Sequence, residues 1–264
     1  MALMRLITIP MSHYCEKARW GLERLGIPYR EERHLQVFHY LHTFRYSHGP
    51  QVPVLIDGAQ VIADSTSILK HLDSHAAPAM RLYPDNPEER YRVEELENLF
   101  DEVLGVESRR WIYFHYLPHT RDALRFAGEG VPVLERFLAP ACYPFMKSFM
   151  RRRLRVYEPE VVAGLMRTRE IIRNIDELLS DKREYLVGGR FSAADLTLAC
   201  MMAPFVLPRQ YGIRLPAIDD TPLTMRETVR EFRDTPTGKF VLRLFETKRH
   251  QVLAEPGLYQ VTAV

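Results

Sequence analysis

At positions 10–15 the chain reads Pro10-Met11-Ser12-His13-Tyr14-Cys15, which sets a hydroxyl and a thiol three residues apart. Residues 6–9 before it form an apolar run suited to a buried strand, and Pro10 ends that run by withholding a ladder donor. Beyond it Cys15, Ala18, Leu22 and Leu25 recur at helical spacing, and Gly26 with Ile27-Pro28 makes a stop. Ser12 therefore falls where a strand hands over to a helix N-terminus, whose free amides and roughly half a positive charge favour a thiolate or another anion. A free thiol titrates near about 8.5, so a lowering of about two units makes most of it anionic near neutral pH. The span from Ser12 to Cys15 is that of a Cys-x-x-Cys redox motif with serine in first place, which excludes dithiol chemistry and leaves a hydroxyl donor. Two readings stand for each residue. Ser12 caps the helix or donates to a bound anion; Cys15 is a buried thiol on the inner face or a nucleophile near the helix start.

Other groups have chemistry of their own. Asp64-Ser65 precedes an apolar stripe at Ile68, Leu69 and Leu72, either as a plain helix cap or as an acceptor and a donor for a ligand carrying an ammonium and a carboxylate. Pro53, taken alone, reads as an edge-strand proline, and Gln51 before it as an exposed strand residue. Trp111, Tyr113 and Tyr116 either line an apolar pocket or belong to the core. Ser192 and Asp195, three apart before an apolar run, form a capping box. His39 and His42 are three apart and His115 and His119 four apart, but Pro118 interrupts the second pair and neither has a metalloprotease glutamate. They read as solvated, and no metal is implied. Arg151-Arg152-Arg153, with Lys147 and Arg155 beside Phe145 and Phe149, reads as a solvated helix face rather than a membrane or RNA contact.

These groups need a scaffold, and the sequence outlines one. The first strand and helix are followed by a strand over 29–35, a βαβ unit; residues 52–56, Asp57-Gly58 and 59–62 form a hairpin, and the helix after Asp64-Ser65 completes a βαβ-ββα plan. Residues 75–87, rich in Ala-Pro, Tyr-Pro and Asn-Pro steps, read as a linker between domains at 1–77 and 88–264. The second domain is expected to be all helical, with periodic stretches at 88–106, 161–179, 193–202 and 224–232. Over 117–160 Pro140 and Pro144 interrupt the periodicity. The fold class expected is thus a thioredoxin-like α/β domain followed by an all-α domain. With 36 Lys and Arg against 34 Asp and Glu the formal charge is +2, so no overall field points to nucleic acid. Three scattered cysteines argue against a disulfide framework and for a reducing, cytoplasmic setting, and no window approaches a membrane span.

In its Ser12 segment, Val52-Pro53, Asp64-Ser65 and the stretch Gly188-Gly189-Arg190-Phe191-Ser192-Ala193-Ala194-Asp195, the chain resembles the cytosolic glutathione transferases, as a serine-type, bacterial-like member. The resemblance covers most of the chain and implies roles for these residues. Ser12 would hydrogen-bond the glutathione sulfur, cis Pro53 would open the third strand, and the Val52 backbone would pair with the cysteinyl part. Asp64 and Ser65 would hold the γ-glutamyl end and Gln51 the glycyl carboxylate, while Ser192 and Asp195 are structural. The expected activity is transfer of glutathione, as cosubstrate, to a small apolar electrophile by a homodimer. A binding or scaffold protein of the same fold without useful turnover is the alternative, as is a glutathione-dependent reductase or peroxidase working through Cys15. Residues 117–160 run longer than this region usually does in that family.

Overall fold

The computed structural model describes residues 3–253. Strand β1 (Met4–Thr8) runs parallel to β2 (Tyr29–Arg33), in register from Met4 opposite Tyr29 to Thr8 opposite Arg33, and antiparallel to β3 (Val54–Asp57). With β4 (Gln60–Ala63) this makes a mixed four-stranded sheet in the order β2-β1-β3-β4. Helix α1 (His13–Arg24) is the crossover that parallel pairing of β1 and β2 demands. Helix α2 (His39–Tyr46) follows β2, and α3 (Ser65–His75) follows the hairpin. The hairpin turns at Gly58 and Ala59, between the closing pair Asp57 and Gln60, one residue later than expected; Gly58 adopts φ +58°, a conformation glycine takes without a Cβ penalty.

The rest of the described chain is helical. Helix α4 (Pro87–Leu99) starts on a double cap, the Asn86 side chain accepting from Glu88 N and Glu89 N, with Pro87 at the first position. A five-residue π turn (Phe100–Leu104) joins it to α5 (Gly105–Tyr116). Then come α6 (Thr120–Ala127), α7 (Val133–Arg153), α8 (Glu158–Leu178), α9 (Ala193–Val206), α10 (Leu223–Asp234) and α11 (Pro236–Lys248). Pro140 and Pro144 do not end α7. Both stand on its exposed face, where water reaches the carbonyls that lose a helical donor.

Helix α9 forms the middle of the helical part and shows no amphipathic stripe, because every residue but Pro204 is buried. Its start is fixed by the Ser192–Asp195 capping box, and the Asp195 carboxyl accepts from Ser192 N (2.9 Å), Ser192 Oγ (2.8 Å) and Leu186 N (2.8 Å). Helix α1 packs between α3 and α9, its Trp20 ring against Phe191 and Phe245.

Polar side chains reinforce this seam. Lys17, fully buried, reaches Asp101 (2.6 Å), Thr66 (2.7 Å) and Glu97 (2.9 Å), tying α1 to α3, α4 and the π turn. Glu16, also fully buried, accepts from Arg249 Nε (2.6 Å), Arg19 (2.9 Å) and Gly212 N (3.0 Å). No helix among the described residues is long and apolar enough to cross a membrane.

Candidate functional site

Ser12 is the N-cap of α1, and its Oγ accepts weakly from Cys15 N at 3.4 Å. A hydroxyl has one proton to donate and two lone pairs, so this cap occupies an acceptor position and the O–H can turn either to the neighbouring Cys15 thiol or to the cavity. The two readings of Ser12 are therefore compatible. Ser12 is half-buried at the wall of a cavity of about 260 Å³ that lies between the sheet domain and α5, α7 and α9. Cys15 is turned away and fully buried; burial, more than any neighbouring charge, pushes its thiol up to about 11.

The two residues between them hold the helical part in place. His13 Nε2 lies 3.0 Å from Gly105 O, and Tyr14 Oη donates to Asp101 O at 2.7 Å, so α1 grips the π turn and the start of α5. Burial first, and then Arg109, lowers His13 to about 3, which keeps it neutral and makes Nε2–H the donor to that carbonyl. Gly105 is needed here, since a Cβ would meet Tyr14 Oη and Met201 Sδ at 2.5 Å.

Gln51 and Val52 line the same cavity. The Val52–Pro53 peptide is cis, and buried Pro53 accepts from Asp64 N at 3.2 Å, so the two segments are joined. Asp64 takes φ +80°, a conformation that costs a non-glycine residue about 1–3 kcal/mol, and its side chain caps α3 by accepting from Ser67 N at 3.0 Å. Ser65 is buried and its Oγ has no partner. Pro53, Asp64 and Ser65 are not among the residues that line this cavity, and Asp64 is exposed to solvent.

From α5, Tyr113 and Tyr116 line the cavity. Trp111, expected beside them, does not; it lies on the opposite side of the helix, buried in the helical core against Phe205 at 4.8 Å. The i, i+4 and i+7 spacing through Arg109, Tyr113 and Tyr116 marks the face turned to the cavity, and Trp111 is off that face. Sequence reasoning missed Arg109, Gln36 and His39, which also line it. His39 is buried with Nε2 3.1 Å from Pro50 O, not solvated as expected. Gln36 donates to Tyr113 Oη at 2.6 Å. The helical spacing of 109, 113 and 116 was the one available signal.

His34, His42 and Glu135 place ligand-type atoms within 4.8 Å of one another. His34 Nδ1 is 2.6 Å from Glu135 Oε1, and the two histidine rings stack at 3.7 Å with 18° between planes. Lone pairs in stacked ring planes run side by side rather than converging, so the trio as arranged is a clasp between β2 and α7, not a coordination set.

Residues 6–80 match the sequence pattern of the glutathione S-transferase N-terminal domain. Solved structures agree along nearly the whole chain. A glutathione S-transferase from Sinorhizobium meliloti 1021 superposes with a TM-score of 0.58 at 17% identity, over 99% of this chain and 97% of its own. The theta class enzyme from Xanthomonas axonopodis pv. citri, solved with glutathione bound, gives 0.55 at 20% identity over 92% and 98%. A glutathione S-transferase from Methylobacillus flagellatus KT, also with glutathione bound, gives 0.52 at 20% over 90% and 98%. The fold is that of the glutathione transferases. Among curated protein sequences none matches. A thioredoxin-like sheet domain followed by a helical part is the shared glutathione transferase plan, and the cavity described above lies between the two.

Proposed function

We propose that this chain is a serine-type glutathione transferase: it binds glutathione as cosubstrate, holds its sulfur as thiolate with Ser12 and the α1 N-terminus, and delivers it to a small electrophile. The observation that carries the reading is Ser12 itself, a half-buried helix cap on the wall of a large cavity. In this reading the Val52 backbone pairs with the cysteinyl unit beside cis Pro53. Asp64 takes the γ-glutamyl ammonium, the orphan Ser65 hydroxyl takes the γ-glutamyl carboxylate, and Gln51 takes the glycyl carboxylate. Tyr113 and Tyr116 border the electrophile. Rate comes from thiolate fraction and from holding sulfur against carbon. The reading also places the protein in the cytoplasm as a homodimer, acting on apolar compounds.

The buried thiol of Cys15, pushed up to about 11, speaks against a reductase or peroxidase built on it. The test is a pH titration of bound glutathione by thiolate ultraviolet absorbance. A hydrogen bond to a charged group is worth about 1.5–3 kcal/mol, so Ser12→Ala is expected to raise the bound thiol pKa by about one to two units. Tight binding with the same thiol pKa in both proteins favours a binding protein without turnover and refutes the proposed role of Ser12.

A further inference from the structure

The cavity wall has an asymmetry of charge. Among the described residues no aspartate or glutamate lines it, while two arginines, Arg109 and Arg153, do. Arg109 makes no ion pair or hydrogen bond with a described residue; its guanidinium rests 5.6 Å over the Tyr14 ring, and its Nε is buried without a partner. A guanidinium held over an aromatic ring with a buried donor left unpaired favours the arrival of an anion to pair with it.

A second donor stands on the same face. Tyr116 is only 4% exposed, lines the cavity, and its hydroxyl has no partner. Between the two, Ile112 and Tyr113 offer an apolar and aromatic surface. Seven residues of helix separate Arg109 from Tyr116, about 10 Å along α5. That length fits a compact aromatic molecule with a polar group at each end.

Resting on the transferase reading, we infer that the electrophile carries an anionic group, a carboxylate or its equivalent, which pairs with Arg109 while its apolar body lies along α5 toward the Tyr116 hydroxyl. Arg153, exposed at the cavity mouth, adds to the attraction of anions from solution. Arg109 is thus a specificity residue for the acceptor and Tyr116 a second polar contact to it.

The probe is a matched pair, 4-chloro-3,5-dinitrobenzoate and its methyl ester. In both, the glutathione thiolate attacks the carbon bearing chlorine. A carbon–sulfur bond forms, the carbon–chlorine bond breaks, chloride leaves with the electron pair, and the thiol proton goes to solvent. Each kcat/KM is divided by the uncatalysed rate constant, which removes the intrinsic difference in reactivity. A charge-assisted contact predicts an acid-to-ester ratio of about ten or more in the wild type, falling to about one in Arg109→Leu and largely kept in Arg109→Lys. Tyr116→Phe, which leaves the ring in place, is expected to lower turnover of the acid.

A wild-type ratio near one overturns the inference while leaving the transferase reading in place. So does an Arg109→Leu variant whose ratio is kept and whose KM for glutathione rises, because Arg109 then serves glutathione. Should neither chloride turn over, the affinities of the two glutathione conjugates, read by quenching of tryptophan fluorescence, decide between the same outcomes. Tighter binding of the acid conjugate through Arg109 supports the inference even then, equal binding refutes it, and binding of neither overturns both readings.

Discussion

Arg249, at the end of α11, is the residue whose loss should be felt furthest from its own position. Its guanidinium is buried, with Nε on Glu16 and Nη1 on Glu23, and its Cζ lies 5.7 Å from the Trp20 ring centre. Breaking a buried ion pair from one side costs about 3–5 kcal/mol, because the remaining charge stays desolvated. For Arg249→Leu the lower end applies, about 3 kcal/mol: Arg19 stays on Glu16, and Glu23 is open enough to hydrate. Glu16→Gln strips the charge that faces two guanidinium groups, Arg19 and Arg249, and is expected to cost about 3–5 kcal/mol. The double variant removes both halves of one pair, so its loss should fall about 2 kcal/mol or more short of the sum. Urea unfolding followed by tryptophan fluorescence reads this directly, and for a chain of this length the Arg249→Leu midpoint on heating should drop by about 6–12 °C. Acid supplies a second check. Burial alone would raise the Glu16 carboxyl, but Arg249 and Arg19 outweigh it and hold it below its ordinary value. Its contribution is then present above the unfolded glutamate pKa of about 4.3 and is lost as pH falls through the lower folded value, so the gap between wild type and Glu16→Gln should close below about pH 4. Single-variant losses under about 1 kcal/mol, or strict additivity, would refute the idea that this seam depends on the buried network.

Three further expectations concern the site's supports. Asp195→Ala orphans the buried Leu186 and Ser192 amides, each worth about 1–3 kcal/mol, and should destabilise the protein by about 3 kcal/mol in the same urea assay. Gly105→Ala sets overpacking of about 1–3 kcal/mol against a helix-propensity gain of about 1 kcal/mol, so the melting temperature should fall; a rise would mean that Met201 and Tyr14 yield freely. Thiol labelling of the native protein should modify Cys142 alone and, after denaturation, all three cysteines, since Cys15 and Cys200 are fully buried with thiols pushed up by burial. Native labelling of Cys15 would reopen the reductase reading.

The sheet domain was readable because its signals are local: an apolar strand stopped by Pro10, a helix begun at Ser12, a hairpin carrying Gly58. Helix α2 was not, for it has no side-chain cap and leaves Leu41 and Phe44 exposed, so its pattern lacks an apolar stripe. In α7 two prolines masked a helix that tolerates them on its solvent side. At the site, Ser12 was singled out by its spacing to Cys15, and Gln51 and Val52 by the family resemblance, and all three line the cavity. Arg109 was passed over because an arginine in an amphipathic helix has no local mark that says it faces a cavity. Trp111 was misplaced for the converse reason: aromatic character alone does not tell the cavity side of α5 from its core side.

The π turn at Phe100–Leu104 has a consequence for how such a chain can change over generations. A single wide turn of this kind accommodates one more residue than the α-helical path would. Losing one residue there would let α4 and α5 fuse into one regular helix while the residues on either side keep their phase, because the wide turn already absorbs the extra one. Arg109, Tyr113 and Tyr116 would stay on the cavity, and only carbonyls of the turn itself, Asp101 O among them, would shift from the reach of Tyr14. An insertion or deletion of one codon within α5 ahead of Arg109 would instead rotate the rest of that helix by about 100° and exchange the whole set of side chains it turns to the cavity, so the π turn is a place where the chain can lose a residue and keep that set.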